Sequence, residues 1–267
     1  MSKEREDAAV ALTWFDAISD AWFGAIDAAA FPLSALALAR VPKAAGHAVL
    51  VLPGFLSGDP PTSLLRWFLT QAGYRAYPWE LGLNFGVSTA HPYDIEALIE
   101  HRLKEVFLES GDRRISLIGW SLGGVYAKAL ARRYPTLIRD VITLGSPISG
   151  NTSKVSVSRL YEWVSKMQFS DPEFLRKMRA STEPLTGVPI TAFYCRKDGV
   201  VPWRNACEKP GPLVQNIEVK ASHVGMGFDA FVFYLIAHRL AKSSSKRWEP
   251  LDVAGLWRSF QRERRLL

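Results

Sequence analysis

The chain has little cysteine, and it lacks both a secretory leader and a long uninterrupted run of apolar residues. Cys195 and Cys207 are the only cysteines among 267 residues, which excludes a disulfide framework and a four-cysteine zinc site. Residues 1–7 carry dense charge of both signs, whereas a secretory signal begins with a basic region followed by an apolar one. These absences predict a protein of the cytoplasm whose two thiols stay reduced.

The most apolar stretch covers residues 21–39, which is nearly long enough to span a bilayer. Asp27 and Pro32 interrupt this stretch and alanine dilutes its hydrophobicity, so we do not expect a transmembrane helix. Within 8–40, large apolar side chains recur every four residues, which predicts a helix. They are Val10, Trp14, Ile18, Trp22 and Ile26. This helix would pack on the protein's own surface or lie in a membrane interface, and the pattern leaves both open.

With 48% hydrophobic and 22% charged residues, the chain has the composition of a folded globular protein. Much of its formal net charge of +7 lies near the end, because residues 241–267 hold seven basic residues against three acidic ones. Such a surplus predicts a solvated basic tail, with weak attraction to an anionic surface, such as the inner face of a membrane, as the alternative. The basic residues form no recognised reader motif, so a specific nucleic-acid partner is not expected.

Beyond Pro42, short β-branched runs alternate with helical patterns, which is typical of βαβ units around a mostly parallel sheet. Predicted strands are 47–52, 74–79, 115–119, 141–144, 190–195 and 217–219, and predicted helices cover about 62–72, 93–109, 121–134 and 230–240. The predicted fold class is α/β, with a mostly parallel central sheet flanked by helices. We divide the chain into an N-terminal helical extension (1–40), an α/β domain (41–241) with a small helical cap insertion (about 147–188), and a basic C-terminal tail (242–267).

The tight turn at residues 119–124 is the pattern that most directly indicates chemistry. Its sequence, GWSLGG, matches G-x-S-x-G and lies between a predicted strand and a predicted helix. The serine of such a turn is held in a strained backbone that exposes its Oγ at the sheet edge, and small neighbours let strand and helix approach closely. The adjoining helix N-terminus also stabilises developing negative charge. Ser121 is therefore the candidate nucleophile.

A serine nucleophile needs a base and an acid that orients the base, in the chain order serine, acid, histidine. Asp198 lies just after the predicted strand 190–195, and sites in open α/β sheets form at the carboxyl ends of strands. Of the five histidines, His223 alone lies in a strand-end loop downstream of both residues. An aspartate before glycine is also an ordinary turn residue, and a loop histidine is usually plain surface. The three positions in the right order nevertheless predict a catalytic triad.

An oxyanion hole is expected beside Ser121. Its first donor would be the backbone N–H of Leu122, and its second would come from the loop after the first core strand. In that loop, 52–58 (LPGFLSG), the Phe55 N–H is the natural donor and Gly54 lets the backbone turn inward. The same segment is also typical of a tight Pro-Gly turn over a buried phenylalanine, and both interpretations can hold together.

These residues together resemble the α/β-hydrolase superfamily and, within it, the bacterial lipase and esterase branch. The resemblance covers about 41–240. Residues 144–150 (LGSPISG) are similar to the L-G-[ST]-P-x-x-G segment of lipases, and 81–86 (LGLNFG) are similar to a G-x-N-x-G stretch of lipase-like members. The resemblance implies the α/β-hydrolase fold with Ser121, Asp198 and His223 as its triad.

The resemblance and the triad imply a serine hydrolase that cleaves carboxylic esters with an apolar acyl group through an acyl-enzyme, without a metal or organic cofactor. Gly54, Leu56 and Trp120 are the expected substrate-pocket residues, and the insertion would act as a lid over Ser121 or as a plain cover. The expected partner is a small-molecule or lipid ester. An acyltransferase or thioesterase with the same triad, and a non-catalytic membrane-associated scaffold, are the alternatives.

Overall fold

The computed structural model describes residues 34–44, 46–86, 94–149, 183–243 and 248–265. The predicted aromatic stripe of the N-terminal extension and most of the predicted cap insertion lie outside the described residues. None of the described helices combines the length and the apolar content that a bilayer-spanning segment requires.

The described strands form one six-stranded sheet in which every pairing is parallel. They are β1 (Ala48–Leu52), β2 (Arg75–Tyr77), β3 (Ile115–Trp120), β4 (Ile138–Leu144), β5 (Ile190–Tyr194) and β6 (Val214–Glu218), in the spatial order β2-β1-β3-β4-β5-β6. β1 pairs with β2 on one side and with β3 on the other, so successive strands are added in opposite directions from β1. In open α/β sheets, ligands bind beyond the carboxyl ends of the strands at such a switch point. The predicted α/β class with a mostly parallel sheet is confirmed.

Helices cover both faces of the sheet, and this explains the apolar strand sequences. They are α1 (Ala35–Ala39), α2 (Asp59–Gln71), α3 (Ile95–Ser110), α4 (Leu122–Arg133), α5 (Trp203–Ala206), α6 (Ala230–Ser243) and α7 (Val253–Arg264). Val49 and Val51 of β1 join a core with α2, α6 and α7, whereas Leu50 and Leu52 join a second core with α3 and α4. A strand with one exposed face alternates apolar and polar residues, whereas a strand buried on both faces is apolar along its whole length.

Two strands begin earlier than the sequence predicts. β4 starts at Ile138 instead of 141, because Arg139 and Asp140 look like loop residues although Asp140 is buried and hydrogen-bonded. The edge strand β6 starts at Val214 instead of 217, since its first residues include the half-buried polar Gln215 and Asn216. The first residues of both strands include polar side chains that have hydrogen-bond partners inside the fold. A search for apolar runs therefore placed the strand starts too late.

The expectation of a solvated C-terminal tail (242–267) is wrong for its described part. Residues of α7 pack against α1 and α6, and Leu251 and Phe260 belong to the core with 6% and 2% of their surface exposed. The many basic residues of this segment hid a narrow apolar stripe, and burying that stripe holds the helix on the domain.

Candidate active site

Ser121 occupies a strained turn between β3 and α4. Its φ of 52° and ψ of −119° lie in a region that residues other than glycine rarely adopt, and such strain persists where the surroundings enforce it. The Ser121 N–H donates to the Leu144 carbonyl at the end of β4 over 2.8 Å. The residue is half-buried. The sharp turn predicted from the sequence is therefore present, and it lies at the carboxyl edge of the sheet.

Three glycines make this turn possible because a methyl group at any of them would overlap neighbouring atoms. A Cβ on Gly119 would overlap the backbone of Gly124, and one on Gly123 would overlap the Leu52 carbonyl. A Cβ on Gly124 would overlap the Ser146 side chain at the end of β4. The start of α4 consequently rests directly on β1, β3 and β4, which holds Ser121 at a defined height above the sheet.

Asp198 and His223 form a buried pair. His223 Nδ1 lies 2.8 Å from Asp198 Oδ2, and the two side chains are 6% and 1% exposed. The other carboxylate oxygen, Oδ1, accepts the N–H groups of Val200 and Val201 at 2.8 and 2.7 Å. A carboxylate oxygen accepts hydrogen bonds, so this contact suits an imidazole that donates from Nδ1 and leaves Nε2 as the ring nitrogen not engaged by Asp198.

The pair lies at the same edge of the sheet as Ser121. A Cβ placed on Gly145, which follows β4 with a φ of 56°, would be 2.9 Å from His223 Nδ1 and 3.1 Å from Asp198 Oδ2. The indole N–H of Trp120, the residue before Ser121, donates to the His223 carbonyl over 3.1 Å. The structure thus brings Asp198 and His223 into contact and ties the histidine loop to the end of the strand that presents Ser121.

The loop after β1 packs against Ser121. A Cβ on Gly54 would lie 3.2 Å from Ser121 Cβ and 3.9 Å from its Oγ, so only a small residue lets the loop approach this closely. Phe55 follows in that loop, and Leu122 begins α4. Leu56 is 47% exposed, whereas Trp120 is only 9% exposed and supports the histidine loop. Gly54 therefore lies beside the turn and Leu56 follows it in the same loop, while Trp120 has a supporting contact that the sequence did not predict.

A second cluster of serine, histidine and aspartate lies near the amino ends of the strands. Ser116 Oγ donates to Asp140 Oδ1 over 2.5 Å and lies 3.2 Å from His47 Nε2. Ser243 donates to the other Asp140 oxygen over 2.6 Å. Burial lowers the pKa of His47 to about 4 and raises the pKa of Asp140.

The order of this second cluster is wrong for activating a serine. A triad needs the histidine between serine and acid, so that the imidazole can take the serine proton. Here Ser116 lies between the other two, and its hydroxyl donates its hydrogen bond to the carboxylate instead of to the histidine. Ser116 is also completely buried, which keeps substrate away. We interpret the cluster as a buried polar network that supplies hydrogen-bond donors to both oxygens of the buried Asp140 side chain.

Two further buried polar groups lie near the site, and the sequence analysis gave neither of them a role. Lys128 of α4 forms a 2.5 Å ion pair with Glu208 and donates to the Ile148 carbonyl over 2.8 Å. Burial lowers the pKa of Lys128, and the Glu208 carboxylate opposes that shift. Asn84 is fully buried against the loop after β1. The G-x-N-x-G stretch at 81–86 marked the segment that carries Asn84, whereas the only sequence signal for Lys128 is a charged residue among apolar neighbours. Over the described parts of the chain, no cluster of His, Cys, Asp and Glu could hold a metal ion.

Residues 47–200 match a family model described as alpha/beta hydrolase fold. Among curated proteins, the mouse serine hydrolase BPHL is 26% identical over 180 residues, which cover 63% of this chain and 60% of the mouse protein. The chain therefore aligns with less than two thirds of that relative's length.

Solved structures with the same architecture include lipases. The mature lipase BlEst2 of Bacillus licheniformis superposes with a TM-score of 0.53 at 16% identity, covering 75% of this chain and 94% of the lipase. The monoacylglycerol lipase of Paleococcus ferrophilus superposes with a TM-score of 0.52 at 17% identity, covering 74% and 97%. At such identities the likeness is one of fold.

Proposed function

Because the chain belongs to the alpha/beta hydrolase fold family, we propose that it is a serine hydrolase that cleaves carboxylic esters with an apolar acyl group. In this proposal Ser121 is the nucleophile, His223 the general base and Asp198 the acid that orients it. The single observation that carries the proposal is the buried His223–Asp198 contact at the sheet edge where the strained Ser121 lies.

Acylation begins when His223 Nε2 takes the Ser121 proton as Oγ bonds to the ester carbonyl carbon. The imidazolium that forms is stabilised by Asp198, whose position is set by two backbone N–H groups. His223 then gives the proton to the leaving alkoxide as the carbon–oxygen ester bond breaks, which releases the alcohol. Water attacks the acyl-enzyme with His223 again as base, and the acid and free Ser121 are regenerated.

Charge on the tetrahedral oxyanion would be stabilised by the backbone N–H groups of Leu122 and Phe55. Leu122 is the first residue of α4, where the helix dipole also favours negative charge. Gly54 supports the second assignment, because its close approach to Ser121 brings the loop that carries Phe55 to the nucleophile.

The apolar acyl group is proposed from the side chains around this loop. Leu56 and Leu83 are 47% and 56% exposed. Leu56 lies in the loop after β1, and Leu83 precedes Asn84, whose main chain is hydrogen-bonded to that loop. Exposed leucines at a site rim fit an alkyl chain better than a polar one. Transfer of the acyl group to another acceptor and hydrolysis of a thioester use the same groups, and substrate assays distinguish them.

Replacing Ser121 with alanine should remove ester turnover, with a fall in kcat of at least about 10⁴-fold, because the covalent step is lost. We would label the protein with a fluorophosphonate probe, map the modified peptide and measure hydrolysis of p-nitrophenyl butyrate. Labelling is expected at Ser121 alone.

Ser116→Ala is the matched control, since it removes the serine of the other Ser/His/Asp cluster. This variant should lose stability because Asp140 loses a donor, yet it should retain labelling and turnover. Loss of activity in Ser116→Ala with full activity in Ser121→Ala would reverse the assignment. An unlabelled, folded wild type would favour a non-catalytic scaffold.

A further inference from the structure

Asn84 is buried in the wall behind the loop that follows β1. Its Nδ2 donates to the Pro53 carbonyl over 2.9 Å. Its Oδ1 accepts the Gly86 N–H at 3.1 Å and the hydroxyl of Tyr126 at 3.3 Å. The donor and acceptor of this amide therefore have distinct partners, and no exposed surface of Asn84 lets water replace either of them.

The main chain of Asn84 is tied to the same loop. The Leu56 N–H donates to the Asn84 carbonyl over 2.7 Å, and the Asn84 N–H donates to the Ser57 carbonyl over 2.8 Å. Leu56 has a φ of 52°, a conformation that costs a leucine free energy and persists only when its surroundings enforce it. The three contacts to Pro53, Leu56 and Ser57 hold the loop on both sides of Phe55.

The segment that carries Asn84 also reaches the start of α4. A Cβ on Gly86 would lie 3.6 Å from the Phe55 ring and 3.7 Å from Leu122 Cδ2. Tyr126, which donates to Asn84, lies one turn further along α4. This short segment thus passes close beside both residues whose N–H groups are assigned to the oxyanion.

We propose that Asn84 is a positioning residue for the oxyanion hole, an inference that rests on the proposed function. By holding the Pro53 carbonyl, its amide sets the peptide plane that leads into Gly54 and Phe55. A donor must lie within about 3 Å of the developing oxyanion to stabilise it, and a displacement of about 1 Å can cost about 10²-fold in rate. Asn84 acts through the loop and does not touch substrate.

The test is Asn84→Asp, which keeps an acceptor at Oδ1 and replaces the donor to Pro53 with an oxygen. We expect kcat for p-nitrophenyl butyrate to fall about 10²-fold with KM changed less than about threefold, because the oxyanion forms only in the transition state. Affinity for phenylboronic acid, whose adduct with serine is tetrahedral, should fall in parallel.

Asn216→Asp is the matched control. The Asn216 amide also bridges a loop, donating to the Glu208 carbonyl and accepting the Glu208 N–H, each over 2.8 Å. A generally weakened fold lowers the melting temperature in both variants, whereas the loss of kcat and boronate affinity should occur in Asn84→Asp alone.

The outcomes separate this inference from the proposed function. A wild type without Ser121 labelling or turnover overturns the proposed function and the inference with it. An active wild type with normal kcat and boronate affinity in Asn84→Asp overturns the inference alone. If Asn84→Asp does not fold, Tyr126→Phe replaces it, since it removes one donor to Oδ1. We expect a smaller, parallel loss of kcat and boronate affinity of about fivefold, and unchanged values would contradict the positioning role.

Discussion

His47 shows how the fold alters the titration of a single residue. Its side chain lies beside Ser116 and packs edge-on against Tyr74 with ring centroids 4.9 Å apart. Burial is the main cause that lowers its pKa to about 4; the charges of Arg139 and Arg75 lower it further, and Asp112 opposes them. The unfolded chain takes up this proton near pH 6.5, so the unfolded state binds more protons between pH 6.5 and 4. The folded state therefore loses stability as the pH falls through that window.

We expect the wild type to lose about 2 kcal/mol more unfolding free energy than His47→Gln between pH 7 and pH 5, from the pKa difference of the two states. Urea denaturation at a series of pH values measures both slopes. Comparing the two proteins removes the contribution of Asp140, whose raised pKa acts in the opposite direction. His101 is the control because its side chain is 72% exposed, and His101→Gln should follow the wild type. Parallel slopes for wild type and His47→Gln would contradict the prediction.

At the level of secondary-structure elements, the position of the Ser121 turn is fixed because α4 packs directly on the sheet. Gly124 lies against Ser146 and Thr143 of the β4 end, and Lys128 anchors the same helix through Glu208 and Ile148. Close packing at Gly124 leaves α4 little room to move. Because Ser121 immediately precedes α4, any shift of this helix also moves the candidate nucleophile. Helix propensity would favour alanine over glycine here by about 1 kcal/mol. The overlap with Ser146 opposes that gain.

Gly124→Ala should lower the free energy of unfolding by about 1–2 kcal/mol, because overpacking in a buried contact outweighs the propensity gain. Fluorophosphonate labelling of Ser121 should slow at the same time. Urea denaturation and labelling kinetics provide the measurements. Gly211→Ala is the control, since its new Cβ would meet only Val214 Cγ2 at an ordinary 3.5 Å. Equal stability and labelling in the two variants would show that the helix contact tolerates a methyl group.

At the scale of the whole molecule, the formal net charge of +7 is unevenly distributed along the sequence, with a surplus of four basic residues in 241–267. α7 packs Phe260 against Phe231 of α6 with ring centroids 5.2 Å apart. Its outer side presents Trp257, 40% exposed, and a shallow cavity of about 520 Å³. The cavity is lined by Trp257, Arg258, Gln261, Arg262 and Arg265. We propose that this face contacts an anionic lipid surface, because an aromatic ring can lie at the headgroups while the arginine charges meet the phosphates.

We expect Arg258→Glu/Arg262→Glu to weaken binding to vesicles of phosphatidylcholine and phosphatidylglycerol at least about tenfold, because each basic residue near such a surface contributes about 1 kcal/mol. Co-sedimentation at low and high salt measures the binding, which should fall with salt. Arg113→Glu/Arg114→Glu changes the net charge equally at two other exposed positions. Similar losses in both double variants would indicate a general charge effect, and no wild-type binding would remove the membrane as a partner of this face.

Much of the framework was predictable because it depends on local patterns. The apolar runs of β1, β3 and β5 predicted strands buried on both faces, and 119–124 predicted the turn that exposes Ser121. Asp198 and His223 could be selected from chain order and position after strands. Their contact over 2.8 Å could not be read from the chain, because 25 residues separate them.

The sequence by itself determined a parallel α/β sheet and the candidate nucleophile, since hydrophobic period and glycine spacing act within a few neighbouring residues. Only the tertiary structure decided that Asn84 supports the loop after β1, that Ser116 belongs to a buried network, and that α7 packs on the core. Those outcomes depend on which distant groups meet. A buried polar group is stabilised only by a partner, and the fold, not the local sequence, supplies that partner.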